Sequence, residues 1–132
     1  MAEMMQFDLV SPERMLASFE ASEIEIPGAE GDFTAMADHQ SMVTTMRPGI
    51  LKAKGASDTT EYVVTGGFVE VSASATSVLA EVAVPRSEVT RATVDAMIAD
   101  AEAAAADATD DMRDSADKRV ADTTALIELL NL

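Results

Sequence analysis

All four prolines and all six glycines of this 132-residue chain fall at or before Pro85, and residues 86 to 132 contain neither. That partition constrains the fold more than any single motif. Proline and glycine punctuate turns and are costly inside helices, so the first part must turn often and the second can run helical. Up to Pro85 the sequence reads as short strands: Gln6–Val10, Met15–Ala21, Glu23–Ile26, Phe33–Met36, Met42–Met46, Ile50–Lys54, Glu61–Thr65, Phe68–Ser72 and Thr76–Val84. Between them stand Ser11-Pro12, Pro27-Gly28, Pro48-Gly49, Gly55 to Asp58 and Gly66-Gly67. Glu23, Ile24, Glu25, Ile26 alternate, as do Val69, Glu70, Val71 and Ser72, the pattern of a strand with one buried and one wet face. Many short, closely spaced strands indicate a β-sandwich or flattened barrel.

After Pro85 the period changes. Ser87 suits an N-cap and Glu88 the positive first turn, which predicts a helix from 88 to about 106. Its apolar positions are Val94, Met97, Ile98, Ala101, Ala105 and Ala108. Thr109-Asp110-Asp111 reads as a fresh N-cap, and a second helix carries Met112, Ala116, Val120, Thr123, Ile127 and Leu130 along one side. Alanine facing alanine lets two helices approach closely with little side-chain entropy to lose. The expected organisation is a β domain over residues 1–85 and an antiparallel two-helix hairpin over 86–132.

Composition narrows the function classes. Nine Lys and Arg stand against 24 Asp and Glu, for a net charge of −15. That field repels phosphate backbones and anionic headgroups, which argues against nucleic-acid binding and electrostatic membrane attachment. With 48% apolar residues in periodic patterns the chain is not expected to be disordered. There is no cysteine, which removes disulfides, thiolate catalysis and Cys-ligated zinc. There is no apolar run of about 18 residues and no basic-then-apolar leader, so the expectation is a soluble chain that stays where it is made.

No residue constellation compels chemistry. Asp32, Asp38 and the only histidine, His39, can be drawn as an acid–base group, but loop carboxylates beside one His are ordinarily solvated. The run "DATDDMRDSADK" (107–118) has the outline of a calcium loop. Met112 stands where that loop needs glycine and Lys118 where it needs a bidentate Glu. Its carboxylates follow helical spacing instead, and Asp107, Asp110 and Asp111 suit a helix N-terminus. "TGGFVEV" lacks the lysine and following helix of a phosphate loop and reads as a turn into a strand. On the second helix Asp114 and Lys118, Arg113 and Asp117, and Lys118 and Asp122 are each four apart and are expected to pair. What remains is a protein that works by contact.

The ordered segments "FDLVSPERMLASFEASEIEIPGAEGDF", "HQSMVTTMRPGIL" and "YVVTGGFVEVSASATSVLAEVA", followed by two helices, resemble the epsilon subunit of bacterial rotary ATP synthases over about residues 6 to 131. The most specific parts are Gly28, Glu30 and Gly31 of a G-x-E-G loop, Arg47-Pro48-Gly49, and Gly66 to Val71. The resemblance implies an α+β fold, a ten-stranded β-sandwich followed by an antiparallel helical hairpin. It implies a non-catalytic central-stalk subunit without a cofactor, coupling c-ring rotation to ATP synthesis at the cytoplasmic face of the bacterial inner membrane. Its implied partners are the gamma subunit, the polar loops of the c-ring and, through the hairpin, the catalytic alpha and beta subunits. The membrane is reached only through the complex.

By position, Glu30, Gly31 and Asp32 match the family's c-ring surface, and His39 and Met42 its gamma-facing side. Gly28 and Gly31 are expected to hold backbone that a Cβ would resist. The alternative function within the family is an inhibitory or nucleotide-sensing regulator acting through the C-terminal helices. Several departures bear on these expectations. The family's P-G-H is Ala37-Asp38-His39 here, and its H-x-P-L-L is His39-Gln40-Ser41-Met42-Val43. The ATP-binding I/L-D-x-x-R-A segment aligns with Val89-Thr90-Arg91-Ala92-Thr93-Val94, which lacks both the Asp and the Arg. Residues 86–132 hold five basic and eleven acidic side chains, net −6, where inhibitory relatives carry a more basic hairpin.

Overall fold

The computed structural model describes residues 3–132. Ten strands come first: β1 (Met5–Val10), β2 (Met15–Ala21), β3 (Glu23–Gly28), β4 (Gly31–Met36), β5 (Met42–Met46), β6 (Gly49–Lys54), β7 (Thr59–Val64), β8 (Gly67–Val71), β9 (Ala75–Ala80) and β10 (Ala83–Pro85). Two helices follow, α1 (Arg91–Ala106) and α2 (Arg113–Leu129). The strands pair in the order β10-β7-β6-β3-β5-β8-β9-β1-β2, with β4 on the other side of β3. All pairs are antiparallel except β1 with β9. The path folds into two five-stranded layers, β4-β3-β6-β7-β10 and β5-β8-β9-β1-β2, which meet where Gly28 pairs with Met46. Phe7, Leu9, Ile24, Ile26, Leu51, Val64, Val69, Val71 and Val78 fill the core between them. This is the sandwich expected from alternation, with Ile24, Ile26, Val69 and Val71 buried and Glu25 and Glu70 exposed. The chain divides into two compact units after Arg86.

Several boundaries differ from the sequence reading, and four of them have a clear local reason. The single strand expected over Thr76–Val84 is two strands. The Glu81 N–H donates to the Gly66 carbonyl (3.0 Å) and the Thr65 N–H to the Val82 carbonyl (3.2 Å). At 81–82 the chain therefore leaves β8 and β1 and passes to the edge of β7. β3 does not stop at Pro27 but continues to Gly28, with the turn at Ala29-Glu30.

The N-cap of α1 is Thr90 rather than Ser87. The Thr90 hydroxyl accepts from the Thr93 N–H (3.3 Å) and the Thr93 hydroxyl from the Thr90 N–H (3.1 Å), a reciprocal capping box. Arg86–Glu88 form only a short 3-10 turn. α2 starts at Arg113, after a 3-10 turn over Asp110–Met112, because the Thr109 hydroxyl donates to the Asp111 carboxylate (2.6 Å) instead of capping a backbone N–H.

Val94, Met97 and Ala101 are the buried residues of α1, and Thr123 and Leu126 those of α2. Leu126 was not among the apolar positions picked from the sequence, and Met112, which was, is exposed.

Candidate functional site

The β3–β4 hairpin projects a two-residue turn, Ala29-Glu30, closed by the pair Gly28 and Gly31. In such a hairpin the closing pair is hydrogen-bonded and the next pair outward is not. Pro27, opposite Asp32, occupies that next pair, so β4 does not call on the N–H it lacks. Gly31 has a positive φ of 141°, a conformation costly for a residue with a side chain. Gly28 is needed for a different reason: a Cβ there would stand 2.6 Å from the Gly31 carbonyl oxygen.

One side chain fastens the neck of this hairpin. Arg47 follows β5 and is half-buried. Its backbone N–H donates to the Pro27 carbonyl (3.0 Å), Nη1 donates to the Gly28 carbonyl (2.5 Å), and Nη2 pairs with the Asp32 carboxylate. The Ala29 N–H donates to the Thr45 carbonyl (2.9 Å), tying the turn to β5 as well. Glu30, Gly31 and Asp32 are all exposed on this clipped hairpin, and the Asp32 side chain is 76% accessible despite its ion pair.

His39 and Asp38 lie beyond the opposite end of β4. Gly31 and Met36 are five residues apart along that strand, a span of roughly 17 Å at the usual strand rise. Asp38 takes a left-handed conformation (φ 66°) and donates its N–H to the Ala73 carbonyl (2.8 Å). The His39 N–H donates to the Met36 carbonyl (3.1 Å), and Nδ1 donates to the Gln40 carbonyl (2.6 Å). Hydrogen bonding and repulsion between Glu3 and Asp38 push the Glu3 carboxyl above the usual carboxylate range. Asp32, held by Arg47, is thus remote from Asp38 and His39, and the three do not form one acid–base centre. Among the described residues no three His, Cys, Asp or Glu are placed to hold a metal ion.

Met42 packs half-buried against the core, and the side chain that β5 turns outward is Val43, 70% exposed. It lies beside Glu70 on a face whose apolar row the sequence reading missed. Across the outer face of the second layer, strand register sets Phe68 beside Leu79, Leu79 beside Val10 and Val10 beside Met15. Phe68, Leu79 and Met15 are each more than half exposed, a contiguous apolar row across four strands. Below it runs a polar row in which the Ser18 hydroxyl (2.7 Å) and Gln6 Nε2 (3.0 Å) donate to the Asp8 carboxylate. These hydrogen bonds hold the Asp8 carboxyl below its usual range. Only register could have revealed the row, since its residues come from four separate segments.

On the helical unit, Lys118 pairs with Asp122 (2.6 Å) and Arg91 with Asp95 (3.0 Å). The expected pair of Arg113 with Asp117 does not form, because the Arg113 guanidinium donates to the Ala108 carbonyl (3.3 Å) just beyond α1. Lys118 is committed to Asp122 and leaves Asp114 without the expected partner.

Residues 4–86 match the family model described as the β-sandwich domain of the ATP synthase delta/epsilon chain. The ATP synthase epsilon chain of Fuscovulum blasticum is 53% identical over 126 residues, covering 96% of this chain and 95% of that one. The epsilon chain of Rhodobacter capsulatus is 50% identical over the full length of both. Among solved structures, a chain in the Euglena gracilis mitochondrial ATP synthase (OSCP/F1/c-ring) aligns with a TM-score of 0.72 at 21% identity, over 96% of this chain and 81% of that one. A chain in the Tetrahymena thermophila central stalk/c-ring structure aligns at 0.58 with 24% identity, over 67% and 72%. These two show the fold, while the family model and the sequence matches show the family: the chain belongs to the ATP synthase epsilon chains.

Proposed function

We propose that the chain is a non-catalytic rotor subunit of a proton-translocating ATP synthase, coupling c-ring rotation to ATP synthesis by docking rather than by chemistry. The observation that carries this reading is the pair of unlike surfaces on one rigid sandwich. One is an acidic hairpin that exposes Glu30 and Gly31 and is clipped at Asp32 by Arg47; the other is the apolar outer face of the second layer. The hairpin suits the polar loops of a c-ring, where contact must be strong enough to transmit torque yet remain wet. The apolar row suits the gamma subunit, which would take Phe68, Leu79 and Met15 out of water on a layer that also carries Met42 and Val43, with His39 just before β5. An exposed apolar row of this kind marks an interaction site on a small soluble domain.

No described helix is long and apolar enough to cross a membrane. The proposed location is therefore peripheral, at the cytoplasmic face of the bacterial inner membrane, held there by gamma and the ring. The helical unit, residues 87–132, carries eleven acidic and four basic residues, which favours a coupling role over inhibition of acidic catalytic surfaces.

Purification of the native complex tests this. The chain is expected to come with gamma and the catalytic head, and vesicles stripped of it are expected to regain ATP synthesis when it is added back. Recovery only as a free monomer, or synthesis unchanged by its removal, would overturn the reading.

A further inference from the structure

We infer that Arg47 is the positioning residue of the ring-docking hairpin, that Asp32 serves it as an internal strut, and that Glu30 carries the charge offered to the ring. The inference rests on the docking reading above and goes further by dividing the labour among three residues.

The geometry at the hairpin neck carries it. Pro27 and Gly28 lie on β3 and Asp32 on β4, so Arg47 reaches both strands of the hairpin from outside it. Both terminal nitrogens of its guanidinium are engaged, Nη1 on the Gly28 carbonyl and Nη2 on the Asp32 carboxylate. An arginine fork fixes two partners in one plane, which a lysine cannot do. The turn beyond the neck has only two residues, so fixing Gly28 and Asp32 fixes where Glu30 points.

Charge accounting points the same way. Asp32 and Arg47 offset one another, and the pair presents little net field beyond a Debye length of about 8 Å. A partner cation would have to compete with Arg47 for the Asp32 carboxylate. Glu30 is exposed at the tip with no ion pair or side-chain hydrogen bond among the described residues. It is the carboxylate of the hairpin available to a cationic or N–H-donating group on a ring loop.

The test uses the full chain rebuilt into the complex, with neutral, nearly isosteric variants at exposed positions that do not threaten folding. Asp32→Asn keeps an oxygen to accept from Arg47 but removes the charge, and Glu30→Gln removes the charge at the tip. Glu30→Gln is expected to raise the dissociation constant of the chain from the rotor about tenfold and to lower proton pumping per ATP. Asp32→Asn is expected to change the dissociation constant by less than about threefold. Arg47→Met is expected to weaken docking while speeding exchange of the Ala29 amide, which a loss confined to the ring contact would not do. A large effect of Asp32→Asn with none from Glu30→Gln would overturn the inference and leave the docking reading standing. No effect from any of the three would remove the docking reading itself.

Discussion

Replacing Ile24 by Asp puts a carboxyl at the centre of the sandwich, and its cost should depend on pH in a direction the structure fixes. Ile24 is 0% exposed on β3, between Ala35 of β4 and Ala53 of β6, both buried and neither with a side-chain donor. Losing the buried aliphatic side chain costs about 2–3 kcal/mol. The carboxylate, lacking a partner, is penalised by desolvation, which raises its folded pKa by about 3 units above the unfolded value near 3.9. At about 1.4 kcal/mol per unit this adds about 4 kcal/mol when ionised, for a total of about 6–7 kcal/mol against a typical stability of 5–15. The group's folded pKa is raised, so the folded state holds its proton longer than the unfolded chain does. Relative to wild type, stability should therefore fall between the unfolded and folded pKa values and level off above about pH 7. Urea unfolding followed by fluorescence of Tyr62, the only tyrosine and itself buried in the sandwich, reads this directly. The deficit should grow by about 1.4 kcal/mol per pH unit from about pH 5 to pH 7, whereas Ile24→Asn should show a constant deficit. A deficit under about 1 kcal/mol, or one equal at both ends of that range, would mean the position is wet and the register wrong.

Ser18→Ala should raise the pKa of Asp8 toward the ordinary carboxylate value, because the Ser18 hydroxyl supplies the largest stabilisation of its charged form. The stability Asp8 contributes is present above the usual carboxylate range and lost as pH falls through its folded pKa. A carboxyl NMR titration with an unmoved midpoint would refute this. Gly28→Ala should lower the melting temperature, at a cost of about 1–3 kcal/mol, because its Cβ would meet the Gly31 carbonyl at 2.6 Å. An unchanged melting temperature would show that the turn opens freely. Truncation after Pro85 should leave ATP hydrolysis by the rebuilt complex nearly unchanged, and a large rise would show that the acidic helices inhibit after all.

The strands were legible where burial is one-sided. Glu23 to Ile26 and Phe68 to Val71 announce their faces because a one-residue slip would bury a carboxylate. The break at Glu81-Val82 was not, since it is made by backbone hydrogen bonds with Gly66 and Thr65 and carries no glycine or proline of its own. Ser87-Glu88 reads as a helix start in the sequence because side-chain preference cannot see that Thr90 and Thr93 satisfy each other. At the site, the acidic turn could be read from Gly28, Glu30 and Gly31 within four residues. The Arg47 clip could not, because its partners lie 15 and 19 residues away and nothing local signals the contact. The apolar row was hidden for the opposite reason: Phe68 and Leu79 look like ordinary strand residues until register puts them side by side on the wet face.

The helical unit follows a different energetic logic from the sandwich. Its alanines allow close approach of α1 and α2 and favour helix intrinsically, but they bury little apolar area. Val94, Met97, Ala101, Thr123 and Leu126 are its only buried residues among those described. The Thr123 hydroxyl is satisfied by the Arg119 carbonyl (2.6 Å), so it contributes no unpaired group but little hydrophobic gain either. A unit spanning residues 87–132 with so small a core falls in the size range where a single core rarely sustains a fold alone. Its opening therefore belongs to the low end of the chain's local stabilities, below that of the sandwich. Any surface that binds the paired helices raises their stability by mass action, and any surface that binds them apart lowers it. Which surfaces can do so is set by charge. With eleven acidic and four basic residues from 87 to 132, basic partners gain and acidic ones are repelled. Electrostatics, more than the cohesion of its own core, decides where this hairpin rests.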